Sequence, residues 1–217
     1  DDALGRYVEF AKRSFPRGQT LEGVIIVVDC GHGAAYKATP CVLRELGADV
    51  IVYGNRPDGT NINAGCGSMH PEQMCHWVQE PRAHIGIAHD GDADRVLLCD
   101  ENGTLIDGDD IMAICTLEML AEGSLANNTL VSTVMSNAGL ETAIETAGGQ
   151  VVRTPVGDKH VVDEMLRNGH NFGGEQSGHL IFGDHGTTGD GLVAALQILR
   201  IMAAKQKPLS ELAQCWT

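Results

Sequence analysis

The segment Val24–Asp29, VIIVVD, constrains the fold more than any other part of the chain, because it is an unbroken apolar run closed by one acid. Such a run is typical of a strand buried on both faces. A glycine-bearing turn, GHGAAY, follows it. The sequence then predicts a helix over Thr39–Leu46, ended by Gly47, and a strand over Val50–Tyr53. A strand, a helix and a strand at this spacing form a βαβ unit, which predicts a parallel sheet.

The same alternation of strands and helices restarts in the second half of the chain. Asp109 and Asp110 are suited to cap its first helix, and a Gly-rich hairpin is predicted over Phe172–Phe182. We therefore expect an α/β protein with two consecutive α/β domains, whose mixed, mainly parallel sheets are flanked by helices. The domains are expected at residues 1–106 and 107–217.

Composition and charge narrow the class of protein. Hydrophobic residues make up 43% of the 217 residues, which is enough for a proper core. The net charge of −14 argues against nucleic acid and anionic membranes as partners, and no apolar run reaches membrane-spanning length. The seven cysteines form no C-x-x-C pair, which predicts reduced thiols in a cytoplasmic protein. A zinc site on Cys66, His70, Cys75 and His76 is a weak alternative, because the spacing matches no common zinc module.

The segment Ile85–Arg95, IGIAHDGDADR, carries the strongest chemical signal. Its apolar start predicts a short buried strand, and Asp90, Asp92 and Asp94 follow on a few residues of loop. Repulsion among three carboxylates disfavours full ionisation, and a hard cation such as Mg²⁺ or Ca²⁺ would relieve it. A cation beside Arg95 would neutralise a phosphoryl group. The alternative is a solvated acidic turn.

Two other readings of this loop make different predictions. An EF-hand requires Gly at the sixth position, where this loop has Arg95, and helices on both sides, so we discard it. A Mg-dependent phosphatase with an aspartyl nucleophile also places D-x-D after a buried strand. Its usual Thr or Val at the fifth position is Asp94 here, which favours metal binding by all three acids.

A second chemical segment is Gly173–His179, GGEQSGH. In an extended segment Glu175, Ser177 and His179 would share one face, since side chains alternate along a strand. A carboxylate, a hydroxyl and an imidazole on one face suit the hydroxyls of a sugar, and the flanking glycines let the backbone approach a ligand. A polar hairpin without a ligand is the alternative.

Two loops after predicted strands complete the candidates. Lys159, in RTPVGDK, follows a strand end, where open α/β sheets place ligands, and is suited to meet a phosphate. The segment GTTGD leads into a long apolar helix over Leu192–Ala204. There we favour a helix cap by Thr188 or Asp190 over an anion site.

Several of these motifs, in this order, resemble the α-D-phosphohexomutases. They are DGDADR, IDGDD, GEQSGH and TTGDG, and VVDCGHGAAY, STVMSNAGLE and RTPVGDKHV resemble the branch that acts on glucosamine phosphates. The resemblance covers essentially the whole chain. It implies a four-domain enzyme that interconverts the 6-phosphate and 1-phosphate of a hexose through a phosphoserine and a bisphosphorylated intermediate. This chain would be the second and third domains, and glucose and mannose are the alternative sugars.

The resemblance also implies roles for individual residues. Three aspartates would bind Mg²⁺, an arginine would contact the transferred phosphoryl group, and others would bind the sugar or face the cleft. These are Asp90, Asp92 and Asp94 for the metal, Arg95 for the phosphoryl group, Glu175 and Ser177 for the sugar, and Lys159 and His179 for the cleft. His179 is also a candidate general base.

The chain departs from the family pattern in one respect. The family's nucleophile is a phosphoserine in a T-A-S-H-N-P type loop of its first domain, and no such stretch is present. The phosphate-clamping loop of the last domain is absent too. We therefore expect this chain alone to be inactive and to need the N-terminal and C-terminal domains as partners. A non-catalytic metal-binding α/β module is the remaining alternative.

Overall fold

The computed structural model describes residues 2–216, so the predicted domain ends Asp1 and Thr217 lie outside the described residues. The strands are β1 (Ile25–Asp29), β2 (Asp49–Tyr53), β3 (Ile85–His89), β4 (Val96–Asp100), β5 (Leu105–Ile106), β6 (Thr129–Thr133), β7 (Gln150–Thr154), β8 (Phe172–Gly174) and β9 (Leu180–Phe182). The helices are α1 (Ala3–Lys12), α2 (Ala35–Glu45), α3 (Glu72–Gln79), α4 (Gly108–Glu122), α5 (Ala138–Thr146), α6 (Asp158–Asn168), α7 (Gly191–Lys205) and α8 (Leu209–Leu212).

The strands form two mixed sheets. The first has the order β2-β1-β3-β4-β5, parallel from β2 to β3 and antiparallel from β3 to β5. The second has the order β7-β6-β8-β9, parallel from β7 to β8 and antiparallel between β8 and β9. The predicted βαβ units, the hairpin at Phe172–Phe182 and the mixed α/β fold class are confirmed. In both sheets the helical crossovers make the parallel part and short hairpins make the antiparallel part.

Helix α2 begins earlier than the sequence analysis predicts. It starts at Ala35 rather than Thr39 and contains Pro40. The reason is a tertiary contact, because the Ala34 amide donates to the Gly91 carbonyl at 2.8 Å. Gly33 packs so closely on Gly91 that a side chain there would overlap the backbone of that residue. The start of α2 is thus fixed against the loop that follows β3.

The helix caps differ in part from the prediction. For α4 the cap is Asp107, whose side chain accepts from the amides of Asp109 and Asp110, while the Asp110 carboxylate accepts from the Asp107 amide. Asp109 instead accepts from the Asn137 amide at 2.8 Å. For α7 the predicted cap is confirmed, since the Asp190 carboxylate accepts from the Val193 amide at 3.0 Å.

A continuous apolar core joins the two halves. Helix α7 lies against β4 of the first sheet and β9 of the second, and it also packs on α4. Val96, Ile111, Phe172 and Leu196 belong to one buried cluster that extends through both sheets. Because α7 is apolar on nearly all sides, it is buried as a central helix. Within residues 2–216, no helix is both long and apolar enough to cross a bilayer.

Candidate functional site

The loop after β3 gathers the three predicted aspartates. One carboxylate oxygen from each of Asp90, Asp92 and Asp94 lies within 4.8 Å of the others. Ala93 takes a left-handed conformation at φ +64°, which turns the loop so that the acids meet. Among residues 2–216 this is the only group of three His, Cys, Asp or Glu side chains placed to hold one ion. The zinc alternative therefore has no support in the described part of the chain.

The negative charge of the three carboxylates in this loop is only partly neutralised by Arg95. Burial raises the pKa of Asp90 to about 6, with a further rise from Asp94 and Asp92 that the Arg95 backbone amide opposes. The Arg95 Nε lies 3.9 Å from both Asp90 Oδ2 and Asp94 Oδ1, which is too long for a strong ion pair. Asp94 Oδ1 is buried and has no hydrogen-bond partner within residues 2–216. The donor set, oxygen atoms with one left unpartnered, fits a hard divalent cation.

The segment Glu175–His179 is a tight turn and not an extended strand, so the prediction of a shared face for Glu175, Ser177 and His179 is wrong. The Gly178 amide donates to the Glu175 carbonyl at 3.0 Å, and the Glu175 amide donates to the His179 carbonyl at 2.9 Å. Gly178 has φ +92°, a conformation that glycine adopts without strain. Strand β8 ends at Gly174, so the alternation of side chains ends before Glu175. We call these five residues the sugar turn, after the ligand that the sequence analysis predicts for them.

The sugar turn lies directly against the aspartate loop. Arg95 and His179 form an antiparallel β-bridge, and the Val96 amide donates to the Gly178 carbonyl at 3.1 Å. Gly178 fits so closely on Val96 that a side chain there would meet its carbonyl oxygen. On the other side the Gly108 amide donates to the Gln176 carbonyl at 3.0 Å. The fold thus joins two motifs that are distant in sequence into one site.

His179 occupies a buried position in this site. Its Nε2 lies 3.5 Å from Asp94 Oδ2, and the residue is only 4% exposed. Gly189 packs against the ring so tightly that a side chain there would overlap Nε2. The ring thus contacts the aspartate loop, and the implied place of His179 at the active-site cleft stays a prediction.

The remaining predicted site residues are Glu175 and Ser177 of the sugar turn and Lys159 of α6. Glu175 Oε1 accepts from the Gly157 amide at 2.8 Å, which ties the turn to the loop after β7. Lys159 follows in the first turn of α6 and is exposed, as is Ser177. Glu175 and Ser177 thus belong to the turn, and Lys159 lies at the start of α6, two residues after the Gly157 amide that Glu175 binds.

Sequence reasoning missed His89 and Thr39. His89, the last residue of β3, is fully buried, and its Nε2 lies 3.0 Å from Thr39 Oγ1 on α2. Burial lowers the pKa of His89 to about 4, so the ring is neutral at pH 7. The pair fixes the backbone immediately before Asp90 to α2. The sequence signal that could have identified His89 is a histidine at the end of an otherwise apolar strand.

A cavity of about 360 Å³ opens beside the aspartate loop. Asp92, Asp94 and Gly189 form one wall, and Tyr7 of α1 and Thr39 of α2 lie on the other sides. The cavity brings a ligand-sized space to two of the three carboxylates. A phosphorylated molecule and a cation can therefore meet at this loop.

Comparison with protein families agrees with this geometry. The chain matches the phosphoglucomutase/phosphomannomutase alpha/beta/alpha domain II over residues 5–103 and domain III over residues 107–217. The chain belongs to the phosphoglucomutase/phosphomannomutase family.

Individual relatives show which members of the family the chain is similar to. The chain is 61% identical over all its residues to the phosphoglucosamine mutase of Syntrophotalea carbinolica, of which it covers 48%. It is 62% identical to the phosphoglucosamine mutase of Geobacter sp. strain M21, with 98% of this chain and 47% of that protein aligned. The chain thus spans about half the length of the curated relatives it matches.

Solved structures share the fold. A phosphoglucomutase/phosphomannomutase family protein from Burkholderia thailandensis superposes with a TM-score of 0.87 at 25% identity, covering 99% of this chain and 46% of that one. The Aspergillus fumigatus N-acetylphosphoglucosamine mutase, solved with GlcNAc-6P and magnesium, superposes with a TM-score of 0.76 at 21% identity. That alignment covers 100% of this chain and 54% of the fungal protein.

Proposed function

We propose that this chain supplies the metal-binding and sugar-binding parts of a phosphoglucosamine mutase. The enzyme would interconvert glucosamine 6-phosphate and glucosamine 1-phosphate through a phosphoserine and a bisphosphorylated intermediate, as an isomerase that provides amino-sugar precursors for the cell wall. The observation that carries the proposal is the β-bridge between Arg95 and His179, which holds the sugar turn on the aspartate loop. Identity of about 60% to phosphoglucosamine mutases along the whole chain supports this choice of sugar.

Mg²⁺ would be held by Asp90, Asp92 and Asp94, whose oxygens lie within 4.8 Å of one another. A bound magnesium ion supplies charge neutralisation for a phosphoryl group in transfer. The magnesium in the Aspergillus fumigatus neighbour supports this assignment, although that likeness concerns the fold alone.

Arg95 would bind the transferred phosphoryl group. Its side chain is 42% exposed, and its Nε faces the carboxylates of Asp90 and Asp94 at 3.9 Å. The guanidinium would pair with phosphate oxygens in the forked geometry that arginine provides.

Glu175 and Ser177 would bind sugar hydroxyls, and Lys159 would bind the phosphate that is not being transferred. The Gly157 amide fixes one oxygen of Glu175, so the carboxylate has a defined orientation. The sugar would turn over between the two half-reactions and meet the same side chains in both orientations. Contacts of this kind orient the hydroxyl that accepts the phosphoryl group.

His179 was predicted as a general base, and this role stays a prediction. Its burial and its contact with Asp94 favour a different role in the mutase, which is to hold Asp94 in position for the cation. A group that orients a metal ligand affects both the geometry and the affinity of the site.

The nucleophilic serine and the phosphate-clamping loop would come from the N-terminal and C-terminal domains of the longer protein, in the cytoplasm. We place the boundary between the two domains of this chain at Asp107. Without those partners the chain would bind metal weakly and would not turn over substrate.

The substrate assignment is tested in the longer protein, at the length of the relatives, with the 6-phosphates of glucosamine, glucose and mannose. We expect the highest kcat/KM for glucosamine 6-phosphate, and Glu175→Gln should raise KM and lower kcat together. Glu145→Gln, an exposed site on α5, is the control. Wild-type kinetics for Glu175→Gln would remove the sugar turn from the substrate site, and a preference for glucose or mannose would reassign the enzyme within its family.

A second experiment separates the mutase from an aspartyl phosphatase. The phosphorylated protein is treated with hydroxylamine, which cleaves acyl phosphates and leaves phosphoserine intact. We expect the phosphate to survive and to map to a serine outside this chain. A hydroxylamine-labile phosphate on Asp90 would favour the phosphatase.

A further inference from the structure

A second cavity, of about 310 Å³, lies away from the aspartate loop. It is bounded by the segment after α1, by α4, by the turn after β9 and by the middle of α7. Its lining includes three arginines, two phenylalanines and a histidine: Arg13, Arg17, Arg200, Phe15, Phe182 and His185. Along α7 the axial distance from Gly191, beside the aspartate loop, to Arg200 is about 14 Å at the α-helical rise. The cavity is thus separate from the proposed active site.

Three arginines line this cavity in a chain that has a net charge of −14. Arg200 donates through Nη1 to Glu122 at 2.7 Å, but its Nε is buried and has no hydrogen-bond partner within residues 2–216. That Nε is closed off from the cavity, but the Arg200 side chain is 19% exposed, so an anion in the cavity would meet its remaining N–H groups. Arg13 and Arg17 are exposed at the mouth, where they can turn toward a ligand.

The acidic side chains at this cavity are already engaged. Glu122 pairs with Arg200, and Asp184 Oδ2 accepts from Asn171 Nδ2 at 2.9 Å. Burial lowers the pKa of His185, Asp184 opposes that shift, and the charge of Arg200 lowers the pKa further. Charges of both signs thus act on the His185 side chain, that of Asp184 more than that of Arg200.

The other walls are apolar and rigid. Phe15 and Phe182 are 3% and 7% exposed, and Pro16 and Met119 lie beside them. Gln197 Nε2 donates to the Ser14 carbonyl at 3.0 Å, which fixes the segment after α1 onto α7. A ligand for this space would carry an anionic group at the arginines and an apolar or planar body against the phenylalanines.

We propose that this cavity is a binding site for a small organic phosphate, whose phosphate group pairs with Arg13, Arg17 and Arg200 and whose body packs against Phe15 and Phe182. A phosphate is the anion that suits several arginines at one cavity, because a guanidinium group can donate two parallel N–H bonds to its oxygens. The site is distinct from the one that would bind the phosphosugar substrate.

The test is calorimetric titration of the full chain with phenyl phosphate and with inorganic phosphate. We expect phenyl phosphate to bind more tightly, because its ring meets the apolar wall. Arg13→Gln combined with Arg17→Gln should weaken the binding of phenyl phosphate about tenfold or more. Arg167→Gln, an exposed arginine on α6, should leave it unchanged.

Two further variants distinguish binding in this cavity from binding at the aspartate loop. Arg95→Gln disables the phosphoryl group site at the aspartate loop and should not alter this binding. Arg200→Gln should abolish it but also removes the Glu122 pair, so the exposed arginines decide the result. Unchanged affinity in the Arg13/Arg17 double variant, loss of binding in Arg95→Gln, or equal affinity for inorganic and phenyl phosphate would each overturn the proposal.

Discussion

At the scale of the residue, the contact between His179 and Asp94 links the two motifs chemically. The imidazole Nε2 is 3.5 Å from the carboxylate, and Gly189 and the β-bridge to Arg95 leave the ring little freedom. Asp94 is one of the proposed metal ligands, so a change at His179 alters the position of that ligand. Groups that orient metal ligands in this way have large effects on affinity.

This contact predicts different outcomes for two substitutions of His179. His179→Ala should weaken Mg²⁺ binding about tenfold, because Asp94 loses its buried partner. His179→Gln should retain most of the affinity, since its amide N–H reaches the position of Nε2. Calorimetry with Mg²⁺ checks both variants. Equal affinities for wild type and His179→Ala would show that the contact does not position Asp94.

At the scale of the element, the N-terminus of α7 connects three parts of the fold. Asp190 caps the helix, and its two carboxylate oxygens also accept from the Tyr7 hydroxyl of α1 at 3.0 Å. The Gly191 amide donates to the Ala93 carbonyl in the aspartate loop at 3.0 Å. The cap therefore positions the start of α7 against the aspartate loop and also satisfies a free amide of the helix.

Loss of this cap should lower stability measurably. Asp190→Ala is expected to reduce the free energy of unfolding by about 1–2 kcal/mol, because α7 loses its cap and Tyr7 loses its acceptor. Asp190→Asn keeps a capping oxygen and is the matched variant. Urea unfolding at pH 7 measures both. Identical stability of wild type and Asp190→Ala would contradict the role of the cap.

The stability difference between wild type and Asp190→Asn should depend on pH. Burial raises the pKa of Asp190 above its ordinary value of 3.8. As pH rises through the interval between these two pKa values, the unfolded chain ionises first and the folded carboxyl keeps its proton, so stability falls. Asp190→Asn does not titrate and should gain stability relative to wild type over that interval. A constant difference between pH 3 and pH 8 would contradict the raised pKa.

The sequence predicts most strands and helices correctly, and each wrong prediction has a physical cause. Apolar runs located the strands, and Gly and Asp signals located most helix ends. The start of α2 was missed because the contact between Gly33 and Gly91 joins distant segments. The prediction of an extended sugar turn is wrong because the alternation of side chains ends with β8, after which Gly178 permits a reversal. The β-bridge between Arg95 and His179 has no local sequence signal.

At the scale of the whole molecule, the main buried cluster extends through both sheets, and two smaller clusters lie apart from it. Helix α7 packs on β4 and β9, and the buried cluster continues from α1 through α4 to α8. The site lies where the two halves meet, so its geometry depends on this shared core. Neither half can rearrange at the core without moving the aspartate loop relative to the sugar turn.

The shared core predicts a single unfolding transition for both halves. Trp77 on α3 reports on the first half, and Trp216, whose Nε1 donates to Asp110 at 3.0 Å, reports on the second. Fluorescence of Trp77→Phe and Trp216→Phe variants in urea should give coincident midpoints. Two separate midpoints would mean that the halves unfold independently.

The most direct test of the whole account is turnover of glucosamine 6-phosphate by the longer protein, followed by ³¹P NMR. Wild type should convert it to glucosamine 1-phosphate. Asp92→Asn, which removes one carboxylate of the aspartate loop, should lower kcat about a hundredfold or more, whereas Asp163→Asn on the exposed face of α6 should not. Wild-type turnover by Asp92→Asn, or no conversion by the wild-type protein, would contradict the claim that the aspartate loop and the sugar turn form one mutase site.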